Sequence, residues 1–307
     1  DVVYISEEEA KFADAMMNLL TMDFNIHERY EDLLRYNSFR RARRVREELG
    51  HGFVFAVHGK NPCYTFDIFN PSQQAKWRKE HGNTILDFGA GHLTETNILN
   101  AAGFDCTPFE PYHIGVSEID KGKSLGISKK FLEVVASGKE FTSVFISSVL
   151  NSVPFAKDRE HIVCICATLC RPFTKLYACA SSTSETGYRQ VNGKAFHNES
   201  NAGNIAFRLE YESGIRIGDF QDKPKVQKYH TKKEFYDLFY RFFRNVKISE
   251  MSGNVCAKCE NVRRIPWEGL VEALQFEFNL PYPDGSRMEL VDDAINAFKR
   301  RYEEIAV

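Results

Sequence analysis

The sequence predicts an α/β protein with a doubly wound, mainly parallel sheet and helical additions at both ends. From about residue 72, short apolar runs alternate with segments of helical periodicity. Glycines close several of the helical segments, and the run TILDF is typical of a buried strand. Strands that alternate with helices indicate a parallel sheet with helices on both faces.

The elements follow in chain order. Residues 1–75 are predicted to form a mostly helical N-terminal cover, because Phe12, Met16 and Leu19 recur at helical spacing. A helix, SQQAKWRKEHG, capped by Ser72 and closed by Gly82, leads into a core at 76–265. In the core, the strands TILDFG, FDCTPFEP, FTSVFISSV and KLYACASS alternate with the helices LTETNILNAAG, SKKFLEVVASG and DREHIVCICATLC.

The second half of the chain departs from this alternation. A polar insertion at 183–226 interrupts the core after KLYACASS. The helix TKKEFYDLFYRFF and the hairpin VKISEMSGNVCAKCENVR complete the core. Residues 266–307 are predicted to form a helical C-terminal extension.

Composition and charge narrow the function classes. The 307 residues include 40 basic and 42 acidic side chains, so the net charge of −2 creates no global attraction to nucleic acid or to an anionic membrane. No apolar run is long enough to span a bilayer, and the first residues lack a signal-peptide pattern, so we expect a cytoplasmic protein without membrane contact. The chain begins at Asp1 rather than Met, which predicts excision from a longer protein and a missing N-terminal partner domain.

The eight cysteines indicate neither disulfides nor a metal site. Cys164, Cys166 and Cys170 crowd into one apolar segment, as reduced core cysteines do. Cys256 and Cys259 form one C-x-x-C without a second pair at zinc-finger spacing. We therefore predict no metal site.

The stretch TILDFGAG carries the first functional signal. In a doubly wound sheet, ligands bind beyond the carboxyl ends of the strands. Gly89 and Gly91 follow the first strand, where glycine lets the backbone approach a ligand, and Glu110 ends the second strand, where an acid can accept both hydroxyls of a ribose. This combination predicts a cofactor that contains a nucleoside.

Two residues distinguish between the candidate cofactors. Thr94 occupies the position at which a dinucleotide fingerprint has a third small residue. Asp87, two residues before Gly89, would repel a pyrophosphate but would favour a cationic sulfonium and an α-amino group. S-adenosylmethionine carries both of these groups, so we expect it rather than NAD.

At LDFGAG and FEPY the chain resembles the class I S-adenosylmethionine-dependent methyltransferases, whose core is Rossmann-like. The resemblance implies that Asp87, Gly89 and Gly91, with Phe88 and Ala90 between them, hold the methionine part of the cofactor. It further implies that Glu110 binds the ribose and that Pro111 or Tyr112 borders the adenine. Ser147 and Ser148, in VFISSVLNSVPF, match the strand end that borders the transferred methyl group. The chain is also similar to methyltransferases associated with DNA-modification systems.

The acceptor side is less well defined. Methyltransferases that act on amino groups of DNA bases carry [DNS]-P-P-[YFW] at this strand end, and SVPF at 152–155 is only a partial match. Asn151 is the candidate catalytic residue, because its carbonyl oxygen could accept a hydrogen bond from an acceptor amine, although a helix-cap role is open to it as well. His92 and His113 are interpreted as pocket-wall residues.

Two basic stretches bear on the partner: RRARRVREE from Arg40 and KPKVQKYHTKK from Lys223. Together with the resemblance, they predict DNA or another nucleic acid as the acceptor. The insertion is predicted to cover the acceptor site, because it leaves the sheet at the carboxyl edge. Two alternatives stay open: a cofactor-binding scaffold without turnover, and a nicotinamide-dependent oxidoreductase.

Overall fold

A computed structural model describes Ile68 and residues 71–305, with gaps at 114, 116–118, 154, 185–195, 198–204, 210–211, 219–224, 252 and 283. The predicted N-terminal cover at 1–75 therefore lies outside the described residues, apart from Ile68 and the start of the first helix. The basic stretch that begins at Arg40 lies outside them as well.

The described residues contain ten strands in two sheets. In chain order they are β1 Thr84–Phe88, β2 Asp105–Phe109, β3 Ser143–Ser147, β4 Lys175–Ser181, β5 Phe196–His197, β6 Ile205–Leu209, β7 Ile215–Gly218, β8 Lys225–Lys228, β9 Phe243–Met251 and β10 Asn254–Val262. Six of them form the main sheet, in the order β2-β1-β3-β4-β10-β9. The first four run parallel, and β10 pairs antiparallel with both β4 and β9. The predicted doubly wound, mainly parallel sheet is confirmed.

The helices are α1 Pro71–His81, α2 Thr94–Ala101, α3 Lys121–Ala136, α4 Ala156–Thr168, α5 Lys232–Tyr240, α6 Trp267–Glu277 and α7 Val291–Ile305. A short 3₁₀ helix occupies Leu150–Ser152. The predicted cap of α1 is wrong by position: the helix begins at Pro71, a residue favoured at the first helical position, so Ser72 lies inside the first turn. Gly82 ends this helix as predicted, with a φ of +76° and its N–H bonded to the carbonyl of Arg78.

Both faces of the main sheet are covered. On one face, Trp77 of α1 packs with Ile85, Phe145 and Tyr177. The other face holds the larger core, to which α3, α4, α6 and α7 contribute. The predicted C-terminal extension belongs to this core, since α6 packs on α4 and α7 packs on α3. Arg301 of α7 is buried and donates to the carbonyls of Lys139 and Leu169.

The insertion contains regular structure that the sequence interpretation missed. Strands β5 to β8 form an antiparallel sheet of their own, in chain order. Apolar and polar residues alternate in FRL of β6 and in IRI of β7, which is the strand period. The glycine and amide residues around these strands are typical of loops, so the sequence interpretation did not detect the alternation.

Candidate functional site

The turn from β1 into α2 is built on two glycines with left-handed backbone. Gly89 has a φ of +85° and Gly91 a φ of +57°. The N–H groups of Gly89 and Ala90 both donate to the carbonyl of Phe109, which ties this turn to the end of β2. A β-carbon at position 89 would lie 2.3 Å from a methyl group of Val149, so glycine also lets the turn after β1 contact the turn after β3.

Asp87 is buried at the end of β1, on the sheet face that carries α2. Its Oδ2 atom accepts a 2.8 Å hydrogen bond from the hydroxyl of Thr96 in α2. The carboxylate therefore anchors the helix that begins at the glycine turn. Its contact with the methionine part of a cofactor stays a prediction.

Glu110 connects the two loops of the site. Its Oε2 atom accepts the Gly91 N–H at 2.5 Å, and its Oε1 atom accepts the Tyr112 N–H at 2.9 Å. Each carboxylate oxygen has more than one lone pair, so both can accept a further hydrogen bond from a ligand hydroxyl. The motif acids and glycines predicted from the sequence are thus brought together at one edge.

His113 lies in the loop after β2 and contacts the glycine turn. Its Nδ1 atom lies 3.0 Å from the carbonyl oxygen of Gly91. Burial lowers the pKa of His113 below its ordinary value, so the imidazole is neutral at pH 7, and Nδ1 is the protonated nitrogen that donates to this carbonyl.

The end of β3 supplies the third wall. Ser148 has a φ of +58°, a conformation that is strained for a residue with a side chain, and its N–H bonds to the carbonyl of Cys179. Asn151 lies inside the 3₁₀ helix that follows, and the residue at the N-cap of the next helix, α4, is Phe155. The alternative role of Asn151 as a helix cap is therefore not the one seen.

Three buried polar atoms at this edge have no hydrogen-bond partner among the described residues. They are Nε2 of His92, Oγ of Ser147 and Oδ1 of Asn151. Buried polar atoms in folded proteins are nearly always paired, with protein, with water or with a ligand. His92 lies in the turn after β1, Ser147 is the last residue of β3, and Asn151 lies in the 3₁₀ helix after β3. Strands β1 and β3 are neighbours in the sheet.

The remaining predicted cofactor residues are more enclosed. The side chain of Phe88 packs in the core, with its ring centroid 4.5 Å from that of Phe109, so only the backbone of Phe88 borders the turn. Pro111 is buried, and Tyr112 is buried with its hydroxyl donating to the carbonyl of Pro281. Their contact with adenine stays a prediction.

The insertion is fixed to the core by a buried ionic cluster that the sequence did not reveal. Arg159 of α4 donates to the carbonyl of Val153 and pairs with Glu212. Lys228 of β8 lies 3.1 Å from Glu212 and 3.0 Å from Glu234. Strand β8 also contacts the 3₁₀ helix that carries Asn151. The partners are up to 53 residues apart, so no local pattern could have indicated them.

The second basic stretch takes part in this cluster through Lys228. Lys228 is buried and neutralised by two carboxylates, and Lys232 and Lys233 pair with Glu250 and Asp237. Lys232 and Lys233 remain exposed, with 60% and 84% of their side chains accessible, so contact of this stretch with nucleic acid stays a prediction.

The cysteines of the described residues are buried. Cys164, Cys166 and Cys170 lie in the core, as predicted. Cys256 and Cys259 of β10 point to opposite faces of the sheet, into different clusters, so they cannot share a metal. Within the described ranges, no group of three or more His, Cys, Asp or Glu side chains could hold a metal ion, and none of the helices there has the length and apolar character to cross a membrane.

Comparison with known proteins gives matches at the level of structure only. No family model matches the chain, and no curated protein matches its sequence. The chain is similar to the CcbJ methyltransferase from Streptomyces caelestis, with 11% identity over 69% of this chain and 98% of that one, at a TM-score of 0.42. It is also similar to DesVI from Streptomyces venezuelae, with 14% identity over 70% of this chain and 95% of that one, at a TM-score of 0.41.

A third similar structure is an S-adenosylmethionine-dependent methyltransferase from Bacteroides fragilis in complex with S-adenosyl-L-homocysteine. It is 12% identical, covers 64% of this chain and 81% of that one, and has a TM-score of 0.34. At these identities and scores the function has to be derived from the site itself.

Proposed function

We propose that the chain is an S-adenosylmethionine-dependent methyltransferase. The observation that carries this proposal is the set of unpaired buried atoms of His92, Ser147 and Asn151, which belong to the same sheet edge as the glycine turn and Glu110. A ligand that fills this edge must offer both donors and acceptors, as the amino acid and ribose parts of the cofactor do.

Each part of the site has a role in this proposal. Glu110 accepts the ribose hydroxyls while it holds the N–H groups of Gly91 and Tyr112. Asp87 supplies negative charge below the turn, and Ser147 lies at the strand end that faces the methyl group. When bound, the cofactor supplies a methyl group activated by the sulfonium charge. The chain itself holds donor and acceptor in line and excludes water.

For the acceptor we propose an amine, with the exocyclic amine of a nucleic-acid base as the specific candidate. The support is the unpaired carbonyl oxygen of Asn151, which can accept a hydrogen bond from an amine N–H and orient its lone pair. The insertion covers the amine. The contact between β8 and the 3₁₀ helix that carries Asn151 supports this placement.

Titration calorimetry tests the cofactor site. S-adenosylmethionine and S-adenosylhomocysteine should bind, and NAD should not. Glu110→Ala should weaken binding by about 1.5–3 kcal/mol, or about 10- to 150-fold, as expected for hydrogen bonds to a charged group. Glu133→Ala, which removes an exposed carboxylate on α3, is the control and should bind like the wild type. Unchanged affinity in Glu110→Ala would refute the assignment.

Asp87→Asn separates charge from shape. The asparagine can still accept the Thr96 hydrogen bond, so the fold should survive. The sulfonium charge is present in the donor and absent from the thioether product. The variant should therefore lose more affinity for S-adenosylmethionine than for S-adenosylhomocysteine. Equal losses would show that Asp87 acts only as a structural anchor.

Transfer of labelled methyl groups to pools of DNA, RNA, protein and metabolites distinguishes an enzyme from a scaffold. Asn151→Ala should retain cofactor binding and lose turnover. Replacing 185–204 by a glycine linker should have the same pattern if the insertion covers the acceptor. Retained turnover in the shortened variant would show that the acceptor site lies elsewhere.

A further inference from the structure

A second cavity lies at the opposite edge of the main sheet, where β4 begins and β10 ends. Its volume is about 340 Å³, which is within the range of small-molecule sites. The end of α4, the loop after it, the residues around the end of β10, and α7 form its walls. The lining residues are Ala167, Thr168, Cys170, Arg171, Pro172, Val262, Arg263, Arg264, Ile265 and Tyr302.

Most polar groups in this lining are already engaged. The hydroxyl of Thr168 donates to the carbonyl of Cys164 at 2.9 Å, and the hydroxyl of Tyr302 donates to the carbonyl of Ile265 at 2.8 Å. Burial raises the pKa of the Cys170 thiol well above its ordinary value, so the thiol is neutral. These residues therefore present a largely apolar wall.

The guanidinium groups give the cavity its charge. Arg171 pairs through Nε with Glu140 at 3.1 Å. Arg263 donates through Nε to the carbonyls of Tyr240 and Phe243, with its guanidinium carbon 4.6 Å from the centre of the Tyr240 ring. Arg264 is exposed and has no ion pair or hydrogen bond within the described part of the chain.

Two of the three guanidinium charges are thus not neutralised by a carboxylate of the described residues. A carboxylate ligand brings one negative charge, whereas a phosphate monoester brings about two at pH 7. Arginine forms paired hydrogen bonds with phosphate oxygens.

We propose that this cavity binds a phosphate monoester carried on a flat, apolar group. The arginines bind the phosphate, and the wall of Ala167, Val262 and Ile265 contacts the ring. The site is independent of the proposed methyl-transfer site, because the two lie at opposite ends of the parallel strands.

Phenyl phosphate is the probe, titrated by calorimetry into the full chain. Inorganic phosphate and phenol, the two products of its hydrolysis, serve as its anionic and apolar halves. Phenyl phosphate should bind more tightly than either half. Arg264→Gln should weaken it by about tenfold or more, as for a hydrogen bond to a charged group, and Arg264→Glu should abolish it. Both changes are at an exposed side chain and leave the core intact.

Arg300→Gln is the matched control, because Arg300 is an exposed arginine on α7 that lines a separate groove with Lys129 and Glu133. It should bind phenyl phosphate like the wild type. The proposal is overturned if phenyl phosphate does not saturate, if inorganic phosphate binds equally well, or if Arg264→Gln and Arg300→Gln have the same effect. Adenosine monophosphate and an oligonucleotide with a 5′-phosphate then distinguish a free ester from the end of a strand.

Discussion

The glycine at position 89 is required by two separate physical effects, and a double-mutant cycle can measure each of them. With a φ of +85°, an alanine there would adopt left-handed backbone, at a cost of about 1–2 kcal/mol. Its β-carbon would also lie 2.3 Å from a methyl group of Val149, and overpacking of this kind costs about 1–3 kcal/mol. Gly89→Ala should therefore lower the free energy of unfolding by about 2–5 kcal/mol.

Val149→Ala removes the atom with which the new β-carbon overlaps. By itself it should cost about 1.6 kcal/mol for two buried methyl groups. In the double variant the overlap is absent while the backbone strain persists. The double variant should thus be more stable than the sum of the single effects by about 1–3 kcal/mol, the overpacking share.

Urea unfolding at constant slope gives these free energies. Gly126→Ala is the control, because Gly126 lies inside α3 with no atom within 4 Å of the added carbon, and it should gain about 0.5–1 kcal/mol from better helix propensity. If the effects of Gly89→Ala and Val149→Ala add within about 0.5 kcal/mol, the contact between the two turns is not what requires glycine.

Three further predictions concern the supports of the site. Thr96→Val removes the donor to the buried Asp87 carboxylate and should lower the free energy of unfolding by about 1–3 kcal/mol, whereas Thr96→Ser should lose less; equal losses in the two would contradict the hydrogen-bond explanation. Glu212→Ala leaves the buried Arg159 without its carboxylate and should cost about 3 kcal/mol, whereas Glu160→Ala, whose partner Arg241 is exposed, should cost at most about 1 kcal/mol. Burial, with Lys175 adding, lowers the pKa of His81 to about 4, so the unfolded chain binds more protons between the ordinary value of 6.5 and about 4. The stability that neutral His81 contributes is complete above pH 6.5 and is lost as the pH falls towards 4. The free energy of unfolding should therefore depend less on pH across that window in His81→Gln. An unchanged pH dependence would show that His81 does not titrate as described.

The sequence predicted those parts of the fold that local patterns encode. Strands β1, β3 and β4 each contain a short apolar run, IL, VFI and LYACA, and Asn254 begins a strand that the turn at Gly253 sets against β9. The site edge followed from topology alone, because parallel strands bring Gly89, Gly91 and Glu110 to one end.

Other features depend on contacts that no local pattern carries. Helix α3 begins at Lys121, seven residues earlier than predicted, because Asp120 accepts the N–H of Lys123 and caps it. Gly122 and Gly126 lower the helix propensity of that turn and hid it. The ionic cluster of Arg159, Glu212 and Lys228 likewise joins residues that meet only after the insertion has folded onto the core.

Glu110 is held in position before any ligand binds. In the folded chain its two oxygens already bind the N–H groups of Gly91 and Tyr112, so the carboxylate fixes both loops before any ribose arrives. A ligand that adds its hydroxyls to these oxygens finds the acceptors in place and does not have to order them, which reduces the entropy lost on binding. Removing Glu110 therefore acts on the loops as well as on the ligand. The loss of cofactor affinity in Glu110→Ala has to be compared with its loss of stability, and only a variant that remains folded at the titration temperature reports on the ribose contact.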